Sequence, residues 1–370
     1  MPDLPPGLIK LHPEDFVVEE LPAYAPSGEG THVFLRFTKT DLTTMDAGRA
    51  IARALECDPR AAGFAGMKDK RAVTTQTISL ETPRGKTPGA FAERARGLVL
   101  PGIVVHEATP HGHKMKAGHL AGNRFSIAVR DVPRERREDV EHSLARVAAD
   151  GVPNAFGSQR FGRAGDNAAR AVAWLTGKER GPRDPRMQRL LWSSLQSAVF
   201  NGVLDARVAD GTWTTPLEGD LLKLRSSGGL FLCSDVQTDR DRAAAGEVSP
   251  TGPMMGARMR WPEGVPAALE RRIAAATLGE GFDLAATRRL GEGTRRPLRL
   301  WVQDLRWERT EQDDGHAADC VRVYFVLPKG AYATTVLASV FALGQTRETG
   351  DPQGDDRQEE RPEDHASEDS

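Results

Sequence analysis

Gly63-Phe64-Ala65-Gly66-Met67-Lys68-Asp69-Lys70-Arg71-Ala72-Val73-Thr74-Thr75-Gln76 reads as a short apolar strand that runs into a charged loop and leaves as a second strand over 74–80. Two glycines, Gly63 and Gly66, permit a tight turn or a close approach of backbone to a ligand. One carboxylate, Asp69, stands among Lys68, Lys70 and Arg71. Nearby cations favour the ionised form of a carboxylate, which is the state a nucleophile needs. The same cations attract a phosphate backbone. Taken alone, these residues fit a solvated charged turn better than a catalytic loop.

Upstream, Phe16-Val17-Val18-Glu19-Glu20 and His32-Val33-Phe34-Leu35-Arg36-Phe37 read as a hairpin-like pair of strands around the turn Pro26-Ser27-Gly28-Glu29-Gly30. Asp41-Leu42-Thr43-Thr44 offers N-caps for a helix running to about residue 56, with Met45, Ile51, Ala52 and Leu55 on one buried face. Downstream, strands are expected over 98–108 and 126–129, and a helix over 135–149. This interleaving predicts an α+β domain on a mixed or antiparallel sheet.

From Gly151 the character changes. A loop-like stretch at 153–162 precedes a strong amphipathic helix. Asp184 is its N-cap and Pro185 its first residue; Leu191, Leu195, Val199 and Val203 follow at four-residue spacing, and Asp210-Gly211 stops it. Short strands near 221–224 and 230–233, a Gly- and Pro-rich loop at 246–256 and a helix at 265–277 come next. A strand at 321–327 then turns through Pro328-Lys329-Gly330 into a terminal helix at 333–343. A domain boundary is expected near 151, and a tail from 345 onward.

The 370 residues are 39% hydrophobic and 28% charged, a globular composition with no run approaching a membrane span. The N-terminus shows no export signal, so the reading is cytoplasmic. Cys57, Cys233 and Cys320 stand far apart and are read as reduced, buried thiols; neither they nor the nine histidines have metal-ligand spacing. The net charge of −2 conceals an asymmetry. Residues 346–370 hold ten acidic residues against three arginines, a net of −7, which leaves +5 on the remainder. The tail reads as disordered. The mildly basic remainder permits RNA binding without demonstrating it. Gly28-Glu29-Gly30 and Gly291-Glu292-Gly293 lack the third glycine of a dinucleotide fingerprint.

The stretch 63–76 closely resembles the signature of the TruD pseudouridine synthases. Four further stretches resemble that family in the same order. They are Lys10-Leu11-His12-Pro13-Glu14-Asp15-Phe16, the segment Lys116 to Phe125 containing Ala121-Gly122-Asn123-Arg124, Val152-Pro153-Asn154-Ala155-Phe156-Gly157-Ser158-Gln159-Arg160-Phe161-Gly162, and Leu327-Pro328-Lys329-Gly330-Ala331-Tyr332. The likeness spans about residues 8–344.

The resemblance implies a pseudouridine-synthase catalytic domain formed by 1–150 and 301–344, an inserted α/β domain at 151–300, and a tRNA substrate, with uridine 13 the family's usual target. Asp69 falls on the family's catalytic aspartate, and Phe16, Asn123 and Tyr332 fall on positions that contact the uridine. Lys10 matches a lysine near the site. Isomerising uridine involves no net redox change, so neither a cofactor nor a metal is required. Lys68, Lys70, Arg71, Lys114, Lys116 and Arg160 are the candidates for RNA contact, and the protein is expected to act as a monomer. Residue by residue, bland readings compete: Phe16 and Tyr332 as core aromatics, Asn123 as a turn residue, the basic residues as a solvated face. Two rival functions also stay open. One is an RNA-binding protein of this fold without chemistry. The other is a glycosidic-bond hydrolase, which needs two carboxylates, with Glu14 or Asp15 as the second.

Overall fold

The structure is a computed structural model that describes residues 4–162, 164–279, 282–311 and 318–345; the expectation of a disordered acidic tail lies outside the described residues. The first part of the chain supplies β1 (Pro6–Ile9), β2 (Phe16–Pro22), β3 (His32–Thr40), α1 (Thr44–Ala54), β4 (Gly63–Phe64) and β5 (Val73–Glu81). It continues through α2 (Pro88–Arg96), β6 (Val99–Leu100), β7 (Ile103–His111), β8 (Leu120–Pro133) and α3 (Arg137–Asp150). Thr43 caps α1 by accepting from the Asp46 N–H, as its sequence suggests. The expected hairpin of β2 and β3 does not form. β5 lies between them, parallel to β2 and antiparallel to β3. An excursion through α1 and the charged loop separates β3 from β5, and that makes room for the insertion.

The chain leaves this body through β9 (Val152–Pro153) and builds α4 (Asn167–Leu175), α5 (Pro185–Ala209), β10 (Leu221–Leu224), β11 (Leu230–Leu232), α6 (Val236–Ala244), β12 (Val248–Met254), α7 (Gly264–Leu278), β13 (Thr294–Pro297) and β14 (Arg299–Leu300). β10 to β13 form a four-stranded sheet, antiparallel throughout. β12 corrects the loop expected at 246–256. Pro250 and Pro253 sit in the strand itself, and α5 covers it, with Phe200 packed where a side chain on Gly252 would lie. Outward and return paths meet where β14 pairs antiparallel with β9. There the Arg299 guanidinium donates to the carbonyls of Ala149 and Asp150 at the end of α3, and of Ala243 in the last turn of α6. A cation is well placed at helix C-termini.

The last part returns as β15 (Gln303–Glu311), β16 (Ala318–Pro328), α8 (Ala333–Leu337) and β17 (Ala342–Gln345). The terminal helix is therefore shorter than expected, and its second half is replaced by β17, which pairs parallel with β1. The large sheet has eleven strands in the order β15-β16-β8-β2-β5-β3-β7-β6, with β1, β17 and β4 off that path. One core joins β2, β8 and β16 to α3 and α8; a second joins β3, β5 and β7 to α1 and α2. Register puts Phe16 opposite Ile127, Val18 opposite Phe125 and Thr74, and Thr74 opposite Lys39. Both cores thus lie on one face of the sheet, and the polar residues Lys39, Glu20 and Asn123 fall between them. Of the three cysteines, Cys233 and Cys320 are buried and Cys57 is half-buried; all are free thiols.

Gly122 of β8 is where two strands approach too closely for any side chain: a Cβ there would lie 2.3 Å from the Leu327 carbonyl oxygen. Gly122→Ala must push β16 away and is expected to cost about 1–3 kcal/mol. Gly112→Ala, which meets nothing within 4 Å, is the control. Thermal melts of the two variants check this, and equal melting temperatures would count against it.

Candidate active site

The charged loop is fixed from beneath by buried polar groups. The Lys68 N–H donates to Thr44 Oγ1 at 2.9 Å, at the start of α1. The Lys68 ammonium is held by Glu20 at 2.7 Å, with the two side chains 8% and 3% exposed. Lys68 is therefore an anchor of the loop, with its ammonium engaged by Glu20. Arg71, although exposed, donates to the Leu11 carbonyl at 2.7 Å and so ties the loop to the Lys10 segment. Gly63 is needed for packing, since a Cβ would meet Met115 O and Ser79 Oγ at 2.4 Å; Gly66 has no comparable crowding.

The Asp69 side chain stands clear of this base, 52% exposed, with Oδ2 2.6 Å from Lys10 Nζ. Lys10 adopts φ +61°, a left-handed conformation that costs a non-glycine residue roughly 1–2 kcal/mol. Such strain is typical of functional sites. Its ammonium lies 4.3 Å from the centroid of the Phe16 ring. Phe16 is only 4% exposed and packs edge-on against Phe125. Its ring forms the floor under Lys10 rather than an open stacking face.

Lys39 is a residue that sequence reasoning missed. It is fully buried, and its ammonium donates to the Asp69 carbonyl at 2.7 Å. Burial pushes its pKa down to about 8; Asp69 and Asp41 pull it back up, and Lys68 pushes it further down. Its signal was present: in Val33-Phe34-Leu35-Arg36-Phe37-Thr38-Lys39, the alternation that buries Val33, Leu35 and Phe37 also points Lys39 inward.

Asn123 lies on β8 between Glu20 of β2 and Leu327 of β16, and its amide oxygen is buried without a hydrogen-bond partner among the described residues. An orphaned buried amide is costly and invites a ligand. Tyr332 precedes α8 and is 48% exposed. Its turn is tied to the start of β8 by the Lys329 N–H to Ala121 O, at 3.2 Å, and the Lys329 ammonium to Gly118 O, at 3.3 Å. Gly118 in turn donates to the Ala65 carbonyl, so one loop links the Asp69 and Tyr332 segments.

Lys70, Lys114 and Lys116 are exposed. His111, grouped with them in sequence, turns inward: its Nδ1 accepts from the Ser27 N–H, and burial, then neighbouring histidines, lower its pKa. It is a neutral structural group. Arg160 belongs to the segment between β9 and β14, where Nε donates to Ser197 Oγ at 3.2 Å and the guanidinium lies 5.5 Å from the Phe156 ring centroid. Asp15, one of the possible second carboxylates, is fully buried and paired with Arg130 at 2.7 Å. Among the described residues there is no group of three or more His, Cys, Asp or Glu that could hold a metal ion, and no helix long and apolar enough to cross a membrane.

Comparison with known proteins gives one consistent result. The family model for tRNA pseudouridine synthase D (TruD) matches residues 5–179 and 183–340. A tRNA pseudouridine synthase D of Anaeromyxobacter dehalogenans (strain 2CP-C) is 44% identical over 339 residues, covering 90% of this chain and 92% of that protein. One from Geobacter metallireducens is 38% identical over 403 residues, covering 92% and 96%. Among solved structures, a Methanosarcina mazei protein provisionally described as a tRNA pseudouridine synthase D superposes with a TM-score of 0.74 at 22% identity, covering 92% of this chain and 94% of that one. That last likeness concerns the fold.

Proposed function

The chain belongs to the tRNA pseudouridine synthase D (TruD) family, and from that premise we propose that it isomerises one uridine of tRNA, at position 13, with Asp69 as the nucleophile. As a member of that family it is an isomerase that acts on tRNA. The observation that carries the mechanistic reading is Asp69 itself: a half-exposed carboxylate oriented by Lys10 at 2.6 Å, on a loop held from below by Lys39 and Lys68.

The uridine leaves its stack, at a cost of a few kcal/mol, and enters the mouth between the two cores. The free carboxylate oxygen of Asp69 attacks C1′, and the bond from C1′ to N1 breaks. The freed uracil turns, and C5 takes the place of the carboxylate on C1′. C5 then loses its proton and N1 gains one, so atoms and charge balance. Asn123 offers its orphaned amide to the base edge or a ribose hydroxyl. Tyr332 offers a ring face, and Phe16 supports Lys10 from beneath. Lys70, Lys114, Lys116 and Arg160 contact the RNA backbone, while the large-sheet body carries the chemistry and the segment between β9 and β14 grips the tRNA. The protein works as a monomer in the cytoplasm and needs neither a cofactor nor a metal.

The test is incubation with unmodified tRNA followed by pseudouridine mapping. One new pseudouridine without free uracil is expected. Released uracil would favour a hydrolase, and no change to the RNA would leave only a binding role.

At Tyr332, stacking a base is worth roughly 1–3 kcal/mol. Tyr332→Phe should keep turnover within a few-fold, and Tyr332→Ala should lose on the order of 10- to 100-fold. Turnover is measured after a circular-dichroism melt shows the Ala variant folded. A Phe variant as inactive as the Ala variant would transfer the role from the ring to the hydroxyl.

A further inference from the structure

Two fully buried arginines between β9 and β14 each come with a carboxylate. Arg207 pairs with Asp220 at 3.0 Å and Arg295 with Glu270 at 2.5 Å, and all four side chains are at most 3% exposed. Arg296, the next residue along β13, is half-buried and, like the buried Arg299, has only neutral acceptors. It donates to the backbone and side-chain oxygens of Asn154, both neutral, and its guanidinium lies 4.1 Å from the Phe156 ring centroid and 5.5 Å from that of Phe200. Among the described residues no carboxylate pairs with it. The charge that acts on it is a second cation, Arg160, whose guanidinium lies against the same Phe156 ring. Burial first, and Arg160 second, lower the Arg296 pKa to about 10, while Tyr332 pulls the other way.

Two guanidiniums on one ring without a counter-anion are costly, because a desolvated charge needs a partner. The surroundings are nevertheless well ordered. The Asn201 side chain accepts from the Phe156 N–H and donates to the Phe156 carbonyl, both at 2.9 Å, which fixes the ring. Asn154 donates to the Pro297 carbonyl at 2.9 Å, which fixes the acceptor of Arg296. Arg160 uses only Nε, towards Ser197, and no hydrogen bond to its two terminal nitrogens is found among the described residues. Planar guanidiniums match phosphate oxygens in pairs. Tyr332 is one of the groups that act electrostatically on Arg296.

We propose that Arg160 and Arg296 form a phosphodiester site that holds the RNA backbone beside the uridine entering between Tyr332 and Asp69. The proposal rests on the reading of this mouth as an RNA site, and it adds Arg296 and a specific ligand group to that reading. A phosphate supplies the missing anion to both guanidiniums at once, while Phe156 keeps them coplanar with one of its faces or edge.

The test compares wild type with Arg160→Gln, Arg160→Lys and Arg296→Lys on a tRNA transcript, and measures affinity across a salt series. Losing one phosphate contact lowers the slope of log affinity against log salt by about 0.7–0.9. Arg160→Gln is expected to show that drop and a several-fold weaker Kd, with the loss in turnover falling on KM rather than kcat; Arg160→Lys should restore the slope. Replacing single phosphates flanking the target uridine by methylphosphonate should weaken wild type most at one position and weaken Arg160→Gln clearly less there. Arg160→Gln removes only one bond to Ser197, so it tests the site even if changes at Arg296 impair folding, which a melt reports. An unchanged slope, with equal sensitivity of both proteins to every neutralised phosphate, overturns the proposal. Pseudouridine mapping of wild type on the same transcript keeps the two readings apart. If no pseudouridine forms while the slope still drops, the isomerase reading fails and the phosphate site stands.

Discussion

Asp69→Asn is expected to abolish pseudouridine formation while leaving tRNA affinity within about tenfold of wild type. The carboxylate is half exposed and has an orienting cation, Lys10, at 2.6 Å. An amide keeps the shape and can still accept from Lys10, but it is a very weak nucleophile. Affinity for RNA comes mostly from phosphate contacts, which the substitution does not touch. The side chain makes no core contact, so the melting temperature should barely move. Turnover and binding measured on one preparation decide the matter; turnover near wild type would remove Asp69 from the reaction.

The second large effect is expected at Lys39, where activity and stability should part company. Lys39→Met removes the tie on the Asp69 carbonyl and a buried positive charge under the loop. A misplacement of about 1 Å in a reacting group costs on the order of 100-fold, and a loss of that size is expected. Stability should not fall with it. The pKa of about 8 in the folded protein lies below the ordinary 10.5. Below pH 8 both states carry the proton, and the folded state bears the full cost of burying it. Between about 8 and 10.5 the unfolded chain binds more protons, so stability from this group rises with pH across that window. Lys39→Met should melt at or above the wild-type temperature at pH 7 and lose that rise. In wild type, kcat/KM should decline as pH passes through about 8 and the ammonium is lost; the Met variant should lack this limb. A Met variant with wild-type turnover and pH profile would disprove the positioning role.

Much of this was legible in the sequence because local signals and tertiary demands agreed. The Asp184-Pro185 start and four-residue spacing gave α5 to within a residue at each end. Thr43 capped α1, and the short strand before Asp69 and the long one after it both formed. Pairing was less legible. Nothing in Phe16–Glu20 or His32–Phe37 says that β5 separates them, because strand order depends on contacts remote in sequence. β12 was hidden by Pro250 and Pro253, which ordinarily signal a loop. The site residues that escaped, Lys39 and Arg296, are cations that the fold removes wholly or partly from solvent. Composition does not reveal burial; for Lys39 strand alternation did, and for Arg296 only the absent carboxylate does.

The order of the strands also bears on how the molecule is made. β16 lies between β8 and β15, and β1 pairs with β17, so the large sheet is completed only by residues beyond 300. The segment between β9 and β14 pairs its own strands within 221–297. During synthesis, that middle segment can therefore finish folding before the body that flanks it. Residues 6–133 must wait with β8 unpaired on the side that β16 will cover, an exposed edge from Gly122 to Pro133. Such an edge invites wrong partners. On a ribosome adding about 5–20 residues per second, the wait from β8 to β16 lasts roughly 10–40 s, which marks this interval as the one in which the nascent chain depends most on chaperones.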